Sequence, residues 1–376
     1  MISLSCFESQ ILLSNIFLKK NNQLNYKEVL YFIAKCLTIS LEEKNRVEIE
    51  IMLKTIDIDW EAVVKLSTSH YIFPAIYCNF KRADFLKYLP ADLVDYMKYI
   101  TNLNRDRNAQ IIQQAKNLNT LLLANKITPI FLKGTGNLLE GLYEDIGERM
   151  VGDIDFLVPE KDFFKAIDIL KNDSYHIEEN QSGFLPGFRH YPKMIKQENI
   201  AAVEIHKEVI IEKYRVEFNC KMISKDAQQI NDFSVLSFEN QLSLSIISSQ
   251  INDYGFDLKN FSLRNAYDVF LLSKKVDTKN AISKFIKLKI SLNCFLANCN
   301  LVFGDLESLK YHKTKESENY LKAFNKSIYK RKPNLIINFK SIKINLNRRF
   351  DIIYKSIFNR EIRKWILNTI KRKIRF

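Results

Sequence analysis

The chain has 376 residues, 47% of them hydrophobic, but only nine glycines and seven prolines. That scarcity excludes collagen-like, linker-rich and turn-rich β architectures, and it points to a compact, mostly helical protein with two or three domains, or one domain with large helical additions. The net charge of +14 is concentrated at one end: twelve basic and two acidic residues lie between Lys340 and Phe376, a local +10, so the high pI describes a tail more than the body.

The opening segment, "MISLSCFESQILLSNIFLKK", has no basic leader and is interrupted by Glu8, unlike a secretory signal. No apolar run reaches the roughly 18 residues of a spanning helix. The six cysteines (Cys6, Cys36, Cys78, Cys220, Cys294 and Cys299) show no paired spacing and read as reduced core residues, so a cytoplasmic location is expected. Residues 1–125 form an N-terminal helical region by pattern: "YKEVLYFIAKCL" and "RNAQIIQQAKNLNTLLLANK" carry apolar residues every three or four positions, and "LPADLVDYMKYI" has a proline entry.

The period changes at residue 126. "ITPIFLKG" (Ile127 to Gly134) predicts a strand closed by glycine, "TGNLLEGLY" a helix, and "DIDFLVP" a second strand stopped by Pro159. A helix over "EKDFFKAIDILKND", a short strand at "YHIEEN", and two strand-like runs, "FRHYPKMIK" and "AAVEIHKEVII", joined by a hairpin at 197–199 complete an α/β core over 126–215. Helical pattern returns over 216–335, with Ser237 as an N-cap, and the chain ends in a basic amphipathic tail over 336–376.

Asp153 and Asp155 open an otherwise apolar strand. Alternate residues of a strand share a face about 6.5–7 Å apart, so two such carboxylates either sit at a solvated strand mouth or converge on a divalent cation. Glu204 and His206 share a face of "AAVEIHKEV", and an adjacent strand would bring Glu204 to the aspartates. Three carboxylates can hold two Mg²⁺ and neutralise a leaving pyrophosphate. That role requires Glu204 to face the aspartates and the intervening space to be free of lysine or arginine. In "FLKGTGN", Lys133 and the backbone of Gly134, Thr135 and Gly136 lie between a strand and a helix, a geometry that suits phosphate, although neither a Walker A nor a GxGxxG spacing is present. Arg149 either clamps phosphate oxygens or pairs with Glu148. Arg264 and Asp268, four residues apart, read as a surface pair.

Taken together, "LKGTGNLLEGLY", "GERMVGDIDFLV", "FRHYPKM" and "VEIHKEV" resemble the uncharacterised nucleotidyltransferase family of bacteria, a branch of the DNA polymerase β-like superfamily, over roughly residues 55–275. The resemblance implies an α+β fold with a small mixed β-sheet embedded between helical regions. It implies Asp153, Asp155 and Glu204 as catalytic metal carboxylates for Mg²⁺ or Mn²⁺, and an NTP such as ATP as substrate, its phosphates held by Lys133, Gly134, Thr135, Gly136 and Arg149. His190 and His206 match family histidines, either as orienting partners or as catalytic groups. The LKG turn departs from the superfamily's Gly-Ser turn, and Gln250 stands where relatives carry histidine.

The expected activity is Mg²⁺-dependent transfer of an NMP group to a hydroxyl of a small molecule, saccharide or protein; specific nucleic-acid binding is not indicated. The alternatives are a non-catalytic nucleotide-binding or antitoxin-like partner and a DxD glycosyltransferase, the latter requiring a Rossmann-like region before Asp153. The tail, read as one long helix, either packs its apolar stripe on the protein, lies on an anionic membrane surface, as on the inner face of the cell membrane, or binds nucleic acid or another acidic partner.

Overall fold

The computed structural model describes residues 25–178, 181, 183–329 and 335–374; the opening segment with Cys6 lies outside them. Before the sheet come α1 (Tyr26–Cys36), α2 (Glu43–Thr55), α3 (Trp60–Ser69), α4 (Phe73–Arg82) and α5 (Ala91–Ala124). The two helical stretches expected on either side of residue 100 are one 34-residue helix, entered from Pro90.

Next are β1 (Ile130–Phe131), α6 (Lys133–Glu140), β2 (Asp153–Leu157), α7 (Phe163–Asn172), β3 (His176–Ile177), β4 (Met194–Ile195) and β5 (Ala202–His206). Then α8 (Cys220–Lys225) leads to β6 (Gln228–Ile230) and β7 (Phe233–Val235). The sheet is mixed and seven-stranded, in the order β3-β4-β5-β2-β1-β7-β6. The α+β expectation therefore holds, with one difference: β6 and β7 lie beyond residue 215, in sequence read as helical, yet β7 runs parallel to β1. Three-residue strands show too little alternation to register as a period.

The remaining helices are α9 (Phe238–Ile247), α10 (Gly255–Leu258), α11 (Leu263–Leu272), α12 (Thr278–Ser283), α13 (Lys289–Phe303), α14 (Lys315–Tyr329), α15 (Leu335–Phe358) and α16 (Arg360–Ile374). One cluster of buried side chains runs from Val29 to Phe324 through helices and sheet alike. The helices before and after the sheet pack on each other, α1 against α13, and Asn45 Nδ2 donates to Phe303 O at 2.7 Å.

The tail is two helices, not one. Asn359 interrupts them, and its side chain accepts from the backbone N–H of Glu361 (2.9 Å) and Ile362 (3.2 Å), an N-cap that the sequence "FNRE" carries and that helical periodicity alone overlooks.

Candidate active site

β2 and β5 are parallel neighbours, and their register sets Asp155 beside Glu204 and Leu157 beside His206. Because side chains alternate along a strand, Asp153 and Asp155 share one face with Glu204 and His206. Ile154, Phe156, Val203 and Ile205 fill the other face and are wholly buried. Burial of that apolar set fixes the register, since a one-residue slip would drive carboxylates into the core. Oxygen and nitrogen donors of Asp155, Glu204 and His206 lie within 4.8 Å of one another. Asp153, at the strand mouth, stands outside that trio.

Each strand's approach is held by a polar rail on α5. Asn104 Nδ2 donates to Gly147 O (2.7 Å) and Arg149 O (3.2 Å), and Asn108 Nδ2 to Arg149 O (2.7 Å). Further along, Gln114 exchanges hydrogen bonds with the backbone of Ala201, at 2.8 Å and 3.1 Å. One buried helix face thus sets where both carboxylate strands begin.

The requirement of a lysine-free space is not met at the two aspartates, although no lysine of the described residues lies within ion-pair distance of Glu204. Lys133 Nζ lies 2.6 Å from Asp155 Oδ1, and Lys193 Nζ 2.5 Å from Asp153 Oδ2. Each lysine takes one aspartate. Between Asp155 and Glu204 stands His206, with Nε2 2.8 Å from Asp155 Oδ1 and 3.5 Å from Glu204 Oε2 and Nδ1 3.3 Å from Glu208 O. His190 packs against the His206 ring at 4.9 Å, donates from Nδ1 to Tyr191 O, and lies 4.0 Å from Glu204.

Burial alone would raise the Asp155 carboxyl, but the Lys133 charge and the hydrogen bond from His206 outweigh it and hold Asp155 well below the usual carboxylate range. Glu204 is likewise lowered: the His206 hydrogen bond overcomes its burial. Asp153 goes the other way, raised by burial that Lys193 only partly offsets. Burial, with the neighbouring His206 charge, pushes His190 down to about 4.

Lys133 adopts a left-handed backbone conformation, φ 52°, which costs a non-glycine residue roughly 1–2 kcal/mol. It turns the chain sharply from β1 into α6 and delivers its ammonium to Asp155. The glycines behind it serve packing. A Cβ on Gly136 would meet Phe131 O at 2.7 Å, and the Gly136 N–H already donates to Leu132 O. Thr135 is buried and its hydroxyl donates to Asp153 O at 3.1 Å.

Arg149 is placed differently from either expectation. It is buried and binds Asp268 through Nε and Nη2, both at 2.9 Å, while Tyr143 donates to the same carboxylate at 2.7 Å. Its guanidinium packs under Gly134 but is committed to Asp268, so a phosphate contact would have to break a buried pair. Glu148 pairs instead with Arg82. Arg264 lies over the Tyr71 ring; with Asp268 buried on Arg149, no surface pair forms with Arg264.

The family model described as "Uncharacterised nucleotidyltransferase" matches residues 57–303. The chain belongs to that family. The match takes in every strand of the sheet and ends with α13, so α14, α15 and α16 lie outside it. Among solved structures, the "Crystal structure of JHP933 from Helicobacter pylori" aligns at 14% identity over 63% of this chain and 97% of that one, with a TM-score of 0.28; at that score it adds nothing to the fold described above. Comparison with curated proteins gave no match.

A nucleotidyltransferase ordinarily works with a divalent cation, and the residues here fit one. Asp153 Oδ1, Asp155 Oδ2 and Glu204 Oε1 accept no hydrogen bond from any described residue. Carboxylate oxygens are the donors Mg²⁺ and Mn²⁺ prefer. A cation there would compete with Lys133 and Lys193 for the aspartates. Lys193, Asn104 and Asn108 are the site's residues that sequence reading missed, and Asp268 was read with Arg264 where the structure pairs it with Arg149. Lys193 alone had a signal: in a hairpin pairing Met194 with Val203, the preceding residue falls opposite Glu204.

Proposed function

We propose that this nucleotidyltransferase moves an NMP group from an NTP to a hydroxyl, forming an acceptor O–Pα bond as the Pα–O bond to pyrophosphate breaks. The observation that carries the reading is the parallel register setting Glu204 beside an ionised Asp155. Asp155 and Glu204, with Asp153 at the strand mouth, would hold Mg²⁺ or Mn²⁺; bound there, the cation would supply charge neutralisation for the triphosphate and lower the acceptor hydroxyl's pKa. His206 orients the Asp155 carboxylate, and His190 buttresses the His206 ring. Lys133, already at Asp155, is the cation we assign to the phosphates, with the amides of Gly134 and Thr135 beside it. Arg149 we assign to positioning through Asp268.

The lysine pairs favour one competing reading, a fold that binds nucleotide without catalysis. The residues from 25 up to β1 are helical, which gives no support to a sugar-nucleotide Rossmann unit. Asp155→Asn separates the first two: it should abolish Mg²⁺-dependent pyrophosphate release from a panel of NTPs, and wild-type protein that binds NTP but releases none would favour the non-catalytic reading.

The tail carries a second, independent proposal. Phe339, Ile342, Leu346, Phe350, Ile353 and Ile357 are 45–70% exposed and fall within an arc of about 80° on α15. The expected packing of the stripe on the protein therefore fails along α15 but holds on α16, where Ile362 is buried and Trp365 Nε1 donates to Gly183 O at 2.6 Å. Lys340, Lys343 and Arg349 border the stripe, which suits a peripheral site on anionic lipid. No helix among the described residues is long and apolar enough to cross a membrane. The intact chain should float with phosphatidylserine-containing liposomes and a chain ending before Lys340 should not; equal behaviour would end the idea.

A further inference from the structure

A cavity of about 840 Å³ lies between the inner face of α15 and residues 185–189. It is a size that suits a ligand of several hundred daltons. Its lining is basic: Arg189 and Arg215 on the core side, Arg348 and Lys355 on α15. Lys355 is already neutralised by Glu212 and Asp351. Among the described residues, no carboxylate lies within ion-pair distance of Arg189, Arg215 or Arg348. Arg215 Nη2 donates to Gly187 O, while its Nε is buried without a partner.

The cavity is also aromatic. Phe188 and Tyr254 face it from the core, Tyr354 and Phe358 from the tail. It adjoins the carboxylates: Arg189 precedes His190, whose ring is 4.0 Å from Glu204. The segment is anchored there, because Arg189 O accepts from the N–H of Lys207 and Glu208 at the end of β5.

We propose that this chamber is the acceptor site, and that the acceptor is a small molecule carrying a phosphate and a flat unsaturated group. The phosphate would meet Arg189, Arg215 and Arg348, and the flat group would lie among the aromatic rings. Arginine with aromatic walls is the combination that recognises phosphate joined to a planar body. This proposal rests on the nucleotidyl-transfer reading, and it gives α15, which lies outside the family match, a wall of the site.

The test uses the full chain and 4-methylumbelliferyl phosphate as probe, with phosphate-free 4-methylumbelliferone as its control. Wild type should bind the phosphate at least about tenfold more tightly than the control. Arg348→Glu should erase that preference and Arg348→Lys should keep most of it. Ile353→Ser, on the opposite, outward face, should leave it unchanged. A saturating non-hydrolysable Mg²⁺·NTP should not displace the probe. Equal affinity for probe and control, indifference to Arg348→Glu, or displacement by the nucleotide would each overturn the assignment. Absence of Mg²⁺-dependent NTP binding, with Arg348-dependent probe binding intact, would uphold the chamber as a phosphate site and overturn its role as an acceptor site.

Discussion

At the scale of single residues, the carboxylates are held in unlike states by their neighbours, and the histidines by burial. Asp155 is kept ionised by Lys133 and His206, whereas burial raises Asp153. His70 and His190 are both pushed down to about 4, chiefly by burial. An unfolded histidine protonates near pH 6.5, so between about 6.5 and 4 the unfolded chain takes up protons that the folded chain refuses, and stability falls on acidification. At pH 5 the loss is at most roughly 2 kcal/mol for each ring. Urea unfolding at pH 7.5 and pH 5 should show wild type weakened at the lower pH, with His70→Gln and His190→Gln each narrowing the difference; variants with an unaltered pH difference would contradict this. The residue types at the site were legible in the sequence, because "DID" and "VEIH" carry strand alternation. Their partners were not: Lys193 and Asp268 come from segments far along the chain, and no local pattern records who meets whom.

At the scale of elements, the segment between α6 and β2 ties the sheet to the helices. Arg149 and Asp268, both under 9% exposed, form its centre, with Tyr143 completing the carboxylate's contacts. Removing one charge from a buried pair leaves the other uncompensated, at about 3–5 kcal/mol, whereas removing both costs less than the sum. Arg149→Met and Asp268→Leu should each lower stability by that order, and the double variant should be clearly less destabilised than the two together; additive losses in chemical denaturation would show the pair is not coupled. This pairing gives the Arg149 guanidinium a partner, Asp268, that its closeness in sequence to Asp153 does not reveal. Helices were legible because their apolar periods are long, as in α5, but the short strands β6 and β7 and the Asn359 break were not. Two- and three-residue strands are specified by their partners, and a capped break leaves the hydrophobic period almost undisturbed.

At the scale of the whole molecule, the turn at Lys133 and the β2–β5 ladder meet at the carboxylates, and the tail lines the cavity that residues 185–189 connect to them. The buried core continues from Val29 to Phe324, and the tail adds a second wall with its own charge. Composition revealed the tail's basicity, but not that α15 presents its apolar stripe outward and Arg348 inward, since that depends on which face meets residues 185–189. The central claim is that Asp155 and Glu204 together hold a divalent cation in spite of the lysines beside the aspartates. Calorimetric titration of Mn²⁺ into wild type and Asp155→Asn, each saturated with a non-hydrolysable NTP, tests it most directly. Saturable Mn²⁺ binding in wild type, weakened at least about tenfold by the substitution, is the predicted result; Mn²⁺ binding that is absent, or the same in both proteins, would contradict the account.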